Sequence, residues 1–401
     1  MTRPRQAGVL QGSILVGQSV FPAMGAVLLV PVVPLLFREY GQMTHAQYLI
    51  PALLTVPGLC IALFSPLVGW LVDRLGRRPL LILGLLFYGA AGIAPIFLTG
   101  FGAVLASRVV LGLGDAIIIV VSAVMVGDYF EGDRRARWLA LFGTVAAVGA
   151  AVFLALGGML GDAFGWRGAV SVYALSLVFI PAMLLYTWEQ PAPAPVLGGM
   201  EQPAAPGLAQ HLVVTGITTL FGAVLFYTLV LQQGLALAAL GTVDPGRLGM
   251  LTAIASLGNP IASLVFRRFT SQPVTTMLAA AFGLIGVGLG LIGWVVNDLV
   301  FTAAAFIGLF GAGLLLPTLL TWTMRSLPFG QRGKGTAVFQ SAFAAGQFGS
   351  SMIVPFVAGR LSGSISAAFA VLGAFAMTAA VVAALAGARS RVRPAQIGEI
   401  A

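Results

Sequence analysis

Apolar runs about one bilayer long follow one another along nearly the whole chain, with charges confined to the short turns between them. The runs cover 13–36, 47–72, 79–98, 102–126, 138–161, 168–187, 211–236, 247–266, 274–295, 299–322, 335–358 and 366–387. A helix needs about 20 apolar residues to cross the hydrocarbon, so each run predicts one crossing. The expected fold class is an all-α membrane protein with 12 transmembrane helices. The first run is too long for a secretory signal and lacks the small-residue cleavage pattern, so it reads as a retained helix.

Composition narrows the picture. Of 401 residues, 59% are hydrophobic and 8% charged, and the mean hydropathy is +1.01; a soluble domain of this length does not carry so little charge. Cys60 is the single cysteine, which excludes an intramolecular disulfide and a zinc site of clustered thiolates. The two histidines, His45 and His211, lie near run ends. No His-Glu-x-x-His pattern, paired-aspartate motif or phosphate-binding Gly-Lys-Ser/Thr loop occurs, so neither hydrolysis nor ATP-driven transport is expected. An enzyme is therefore not expected, nor any metal or cofactor. The inter-half linker and the switch-like turns argue against a channel.

The formal charge of +9 raises nucleic acid as a partner, but its distribution argues for topology instead. With the N-terminus inside, sixteen of the 21 basic residues fall on the cytoplasmic side. The outer loops keep Arg38, Arg167, Arg247 and Arg360, and Arg108 lies within a span. Such a bias puts both termini in the cytoplasm and gives the inner face an attraction for anionic lipid headgroups, with no role for nucleic acid.

One long segment breaks the apolar rhythm. Trp188 to Gln210 is rich in Pro and Gly and reads as a flexible linker. It divides the chain into an N-terminal six-helix half (1–187), a cytoplasmic linker (188–210) and a C-terminal six-helix half with a short basic tail (211–401). A weak internal repeat agrees: aligning Pro79 with Pro273 sets Ser263 to Gln272 against the turn before Pro79, with Arg267 where Asp73 stood. A second echo pairs Gly132-Asp133-Arg134-Arg135 with Gly330-Gln331-Arg332-Gly333. Duplicated halves predict a substrate site at their interface.

The turn Gly69-Trp70-Leu71-Val72-Asp73-Arg74-Leu75-Gly76-Arg77-Arg78-Pro79 joins the second and third runs. Gly69 would let a neighbouring helix approach closely, Asp73 sits where a negative charge can meet a helix N-terminus, and Gly76 permits a sharp reversal. Arg74, Arg77 and Arg78 would pin the turn to the cytoplasmic face. The pattern Gly, three residues, Asp-Arg, one residue, Gly-Arg-Arg resembles the signature between helices 2 and 3 of the major facilitator superfamily, with every fixed position filled. The resemblance implies two six-helix halves working by alternating access. It makes this turn a conformational latch, with Asp73 against the start of helix 11 and Arg77 coupled to the acid ending helix 4, here Asp128.

An ionisable group at the centre of a spanning helix costs roughly 2.5 to 3.5 kcal/mol on insertion scales, so it reads as functional. Arg108 and Asp115 stand out, both in the fourth run and seven residues apart on nearly one face, with Ser122 seven further on. Arg108 to Gly114 resembles the superfamily's helix 4 signature, an Arg followed by Gly at the fourth and sixth positions, with Leu111 replacing the usual Gln. By that resemblance Arg108 takes part in proton transfer; the alternative is snorkelling or binding backbone carbonyls for packing. Asp115 has no counterpart in the signature. It is either a proton-coupling carboxylate, whose proton affinity burial and a nearby Arg pull in opposite senses, or the partner of Arg108 in a fixed ion pair.

In the fifth run, Gly149, Gly157 and Gly158 with interleaved alanines predict close helix packing. Exporters of the superfamily carry a Gly-Pro there, which Phe153-Leu154 replace, a departure that counts against antiport. Val30-Pro31-Val32-Val33-Pro34 in the first run resembles the two-proline motif of the 12-helix drug:proton antiporter group. Helices 1, 4, 7 and 10 line the cavity in this superfamily, which makes Gln18, Tyr227, Gln233 and Trp322 candidates for substrate contact; each is alternatively interhelical glue. The expectation is an inner-membrane secondary transporter, a monomer, that exports a small amphipathic organic solute against protons. The rival within this class is a symporter or uniporter that imports an organic acid with Arg108 as its anchor.

Overall fold

The computed structural model describes residues 7–189, 207–325, 327 and 332–392, without the side chains at 73, 332–334 and 390–392. Among the described residues every regular element is helical. Eleven apolar helical segments among these residues are long enough to cross a membrane. The fifth of them, Gly132–Tyr186, has 55 residues, about 80 Å of helix against a hydrocarbon core of about 30 Å. It bends at Gly165, whose φ of 70° leaves the helical region. The fifth and sixth predicted runs are its two arms.

The first segment is broken where proline withholds backbone donors. It consists of α1 (Val9–Gly17), α2 (Val20–Val27), a single 3-10 turn at Val30–Val32 and α3 (Val33–Tyr40). Pro22 cannot bond the carbonyl of Gln18, and Pro31 cannot bond that of Val27; the breaks fall there. Then come α4 (Ala46–Leu75), α5 (Arg77–Ile93), α6 (Phe101–Tyr129), α7 (Gly132–Val170) and α8 (Leu175–Tyr186). After the stretch 190–206, which lies outside the described residues and takes most of the proposed linker with it, come α9 (Leu208–Leu231) and α10 (Gln233–Ala239). Next are α11 (Pro245–Ser256) and α12 (Gly258–Phe266), separated where Pro260 cannot bond Ser256. The chain finishes with α13 (Val274–Ile292), α14 (Asp298–Arg325), α15 (Arg332–Arg360) and α16 (Ile365–Val392).

Two compact units result: Met1–Met200 with Thr242–Ala253, and Glu201–Gly241 with Ile254–Ala401. In the first, α6 is the hub, packed on α4 and α5, while α2 lies on α7 and α5 on α8. In the second, α13 packs on α14 and α16, and α9 on α15. The glycines of α7 work as small-residue contacts: a Cβ on Gly149 would press on Val20, one on Gly157 would strike the Leu28 carbonyl, and one on Gly158 would strike the backbone of Gly249 in the same unit. Many large apolar side chains point outward, such as Val178, Leu185, Phe375 and Val382, as a lipid solvent allows.

Candidate functional site

The centre of the first unit holds two charges with no hydrogen-bond or ion-pair partner among the described residues. Arg108 is fully buried on α6 and none of its three guanidinium nitrogens has a hydrogen-bond partner. Asp115 is 1% exposed, and neither carboxylate oxygen has one. No ion pair joins them, because the described ion pairs are Arg77 with Asp128 and Arg167 with Glu39. The two groups are not a direct ion pair, and Arg108, buried, neither snorkels nor reaches a carbonyl among the described residues. The physical reason lies in the seven-residue spacing: two helical turns separate the groups by about 10 Å along the axis, and Arg108 turns instead to a ring. Its guanidinium carbon lies 5.0 Å from the centroid of Tyr173.

Asp115 faces the broken first segment. A Cβ on Gly25 would lie 2.7 Å from Asp115 Oδ2 and 3.5 Å from the Tyr88 hydroxyl, so only glycine leaves room there. Tyr88, fully buried on α5, donates to the Phe21 carbonyl at 2.5 Å. Seven residues on, Ser122 donates to Gln18 Oε1 at 3.2 Å, and Gln18 Nε2 lies 3.0 Å from Met183 Sδ. The helix break at Pro22, the missing side chain at Gly25 and the polar stripe of α6 thus meet along one seam.

Gln18 has no exposed surface. Its amide ties the first segment to α6 and α8, the interhelical role that was the alternative to substrate contact. Gln233 is also fully buried, and both its amide atoms lack partners. Tyr227 is half-buried, its ring 5.1 Å from Phe343 and 4.8 Å from Phe226. Phe339 stacks on Phe343 at 5.9 Å, which completes an aromatic cluster on α9 and α15 that the sequence reading missed. Trp322 is half-buried, edge-on to His211 at 6.2 Å.

At the 69–79 turn, Arg77 Nε lies 3.1 Å from Asp128 Oδ2. Gly76 has φ 84°, the left-handed value a sharp reversal requires. Arg78 Nη2 donates to the Leu184 carbonyl at 2.6 Å, binding the turn to the end of α8, and Arg74 lies 3.9 Å over the ring of Trp70. The side chain of Asp73 lies outside the described residues. The acid that meets the α5 N-terminus is Glu189, which accepts from the backbone N–H of Arg77 at 2.7 Å and of Arg78 at 2.8 Å. Sequence reasoning missed it, although a lone Glu directly after the sixth apolar run was its signal. Gly69 is corrected as a close-approach point: no described atom lies within 4 Å of a Cβ built there.

Helical units of membrane-crossing length, with buried charge at mid-span and a cross-braced turn at one end, describe a polytopic helical membrane protein. A family model for the Major Facilitator Superfamily matches residues 15–350, and the chain belongs to that family of membrane transporters. Over 143 residues it is 34% identical to the class G tetracycline resistance protein of Vibrio anguillarum, covering 35% of each chain. It is 29% identical over 144 residues to the class H tetracycline resistance protein of Pasteurella multocida, covering 36% of each. With a multidrug transporter protein of Bacillus subtilis it shares 24% identity over 147 residues, 37% of this chain and 26% of the relative. The matched stretch thus spans between a quarter and just over a third of these curated relatives. Among solved structures, a peptide transporter in complex with sulfate superposes with a TM-score of 0.75 at 16% identity, covering 96% of both chains. A D-xylose-proton symporter does so with 0.75 at 13%, covering 93% of this chain and 96% of that one. These two establish the fold.

Proposed function

We propose that this chain is a proton-coupled secondary transporter that exports a small amphipathic organic solute, with tetracycline-like compounds as the first class to try. Drug-resistance and multidrug names among its relatives support export. The observation that carries the coupling is Asp115, a carboxylate buried at mid-span without a hydrogen bond or ion pair. An unpaired charge in that setting is costly, and a group that takes up and releases a proton as hydration changes is a reason to keep it. Arg108 supplies positive charge on the same face of α6, so proton and substrate act antagonistically.

In this reading the chain crosses the membrane 12 times with both termini in the cytoplasm, works as a monomer, and carries its linker over 188–210. The 69–79 turn, with Gly69, Asp73, Arg74, Gly76, Arg77, Arg78 and Asp128, latches the outward-facing state. Tyr227, with Phe226 and Phe343 beside it, contributes an aromatic wall to the solute path, and Trp322 and Gln233 add polar contacts.

Coupled binding is reciprocal, so substrate releases a proton and alkaline pH tightens substrate binding. Asp115→Asn is expected to bind substrate with affinity independent of pH, and to lose transport driven by a proton gradient. Reconstituted vesicles with an imposed pH gradient, loaded from either side, read both direction and coupling. Normal concentrative transport by Asp115→Asn would remove the carboxylate from the mechanism.

A further inference from the structure

At the end of the first unit opposite the 69–79 turn, an open pocket of about 420 Å³ lies between α3 and the bend of α7. Its floor is an ion pair closed on itself. Glu39 Oε1 accepts from Arg167 Nη2 at 2.8 Å, and Oε2 accepts from Arg167 Nη1 at 2.8 Å and from the Trp166 indole at 2.6 Å. Arg167 also lies 4.4 Å over the Trp166 ring and reaches the Leu98 carbonyl. Glu39 is thus engaged by Arg167 and Trp166 and forms no ion pair with a second cation among the described residues.

Arg38 is that second cation. It lines the pocket, is exposed, and belongs to no ion pair among the described residues. Arg38, Glu39 and Arg167 are the charged groups of the lining, so the pocket carries one uncompensated positive charge. The rest of its wall is apolar. Phe164 is 71% exposed and Leu35 is partly so. The bend at Gly165, where no described atom lies within 4 Å of a Cβ position, keeps the mouth open.

Position selects the occupant. α3 ends the first membrane-crossing segment at Tyr40, and α4 then runs 30 residues back to the turn that follows Leu75, about 45 Å. The pocket sits at that segment's end, where lipid phosphates lie. We propose that it binds the headgroup of a phospholipid, with the phosphodiester on the Arg38 guanidinium and the first acyl carbons along Phe164 and Leu35. A guanidinium offers paired donors that match phosphate oxygens. A lone exposed Arg holds a free anion weakly, so the apolar wall is what makes the site lipid-selective.

The test is native mass spectrometry of the full chain in detergent, titrated with phosphatidylglycerol. Arg38→Gln is expected to weaken retention of one lipid about tenfold and Phe164→Ala about threefold. Arg360→Gln, which removes an exposed Arg from the other unit, should leave it unchanged. A digalactosyl diacylglycerol with the same acyl chains should not compete, and millimolar inorganic phosphate should not displace the lipid. Both substituted side chains are exposed, and an unchanged unfolding temperature without lipid certifies the fold. Wild-type retention in Arg38→Gln, or equal competition by the galactolipid, overturns the site. Displacement by inorganic phosphate reduces it to a plain anion pocket and overturns the lipid assignment.

Discussion

The two units differ most in what their long central helices carry. α6 in the first unit buries Arg108, Asp115 and Ser122 on one stripe; α14 in the second has no charge between Asp298 and Arg325. Its hydroxyls look after themselves: Thr302, Thr318 and Thr323 each donate to the carbonyl four residues back, at 2.8, 2.7 and 2.9 Å. A threonine bonded to its own helix adds no demand on neighbours, whereas unpartnered charge on α6 strains the membrane interior. The same asymmetry appears at the turns. Gly69 to Pro79 is cross-braced by Asp128, Leu184 and Glu189, while Ser263 to Gln272 carries Arg267 and Arg268 with no acid in the segment. The two units thus differ in buried charge on the central helix and in the bracing of the turn.

The largest expected effect tests whether the charge of α6 is kept for work. Arg108→Met should reduce concentrative transport by about 100-fold, the scale of losing a proton-transfer group. It should also raise the unfolding temperature, because an unsatisfied buried group costs about 1–3 kcal/mol. Transport in vesicles and thermal unfolding in detergent check the pair of outcomes. Loss of stability together with transport would make Arg108 a packing residue and erase the contrast with α14.

Next in size is the seam of α6 with the first segment. Gly25→Val sets a side chain against Asp115 Oδ2, where even a Cβ lies at 2.7 Å, with the Leu111 side chain and the Tyr88 hydroxyl both at 3.5 Å, so the carboxylate must shift within a packed seam. A loss of about 1–3 kcal/mol and of most transport is expected, read by unfolding temperature and uptake. Near-normal behaviour would show that the seam opens without cost.

Glu189→Ala removes a charged cap from α5 and should cost about 1–2 kcal/mol, seen as a lower unfolding temperature. Arg267→Ala, at the equivalent turn of the second unit, should cost under about 0.5 kcal/mol. Equal losses would mean that both turns are braced alike.

How much of this was legible in the sequence follows from contrast. Arg108 and Asp115 stood out because a charge in an apolar run has few innocent explanations, and the 69–79 turn because its spacing is complete. The breaks of the first segment and before α12 fall at Pro22, Pro31 and Pro260 but were not foreseen, because proline alone does not announce a break: Pro51, Pro57 and Pro66 leave α4 continuous. Glu189 was hidden by distance: 112 residues separate it from Arg77, and no local pattern links a helix start to an acid that far along the chain. Phe226, Phe339 and Phe343 vanished into a background of 26 phenylalanines. Gln18 could not be assigned from the sequence, because polarity within a span looks the same whether it serves a solute or bonds such as those to Ser122 and Met183.

The smallest effect is the sharpest comparison. Thr318 and Ser122 are both fully or almost fully buried hydroxyls on the central helices. Thr318 returns its proton to Leu314 within α14, and its removal as Thr318→Val deletes a donor together with its local bond, leaving that carbonyl its helical partner. A change within about 0.5 kcal/mol is expected. Ser122→Ala deletes a bond between helices and leaves Gln18 Oε1 unpaired in a buried seam, so about 1–2 kcal/mol is expected. Unfolding of the two single variants beside the parent protein decides it. If Thr318→Val costs as much as Ser122→Ala, the second unit's hydroxyls hold helices together as the first unit's do, and the division of labour read from α6 and α14 fails.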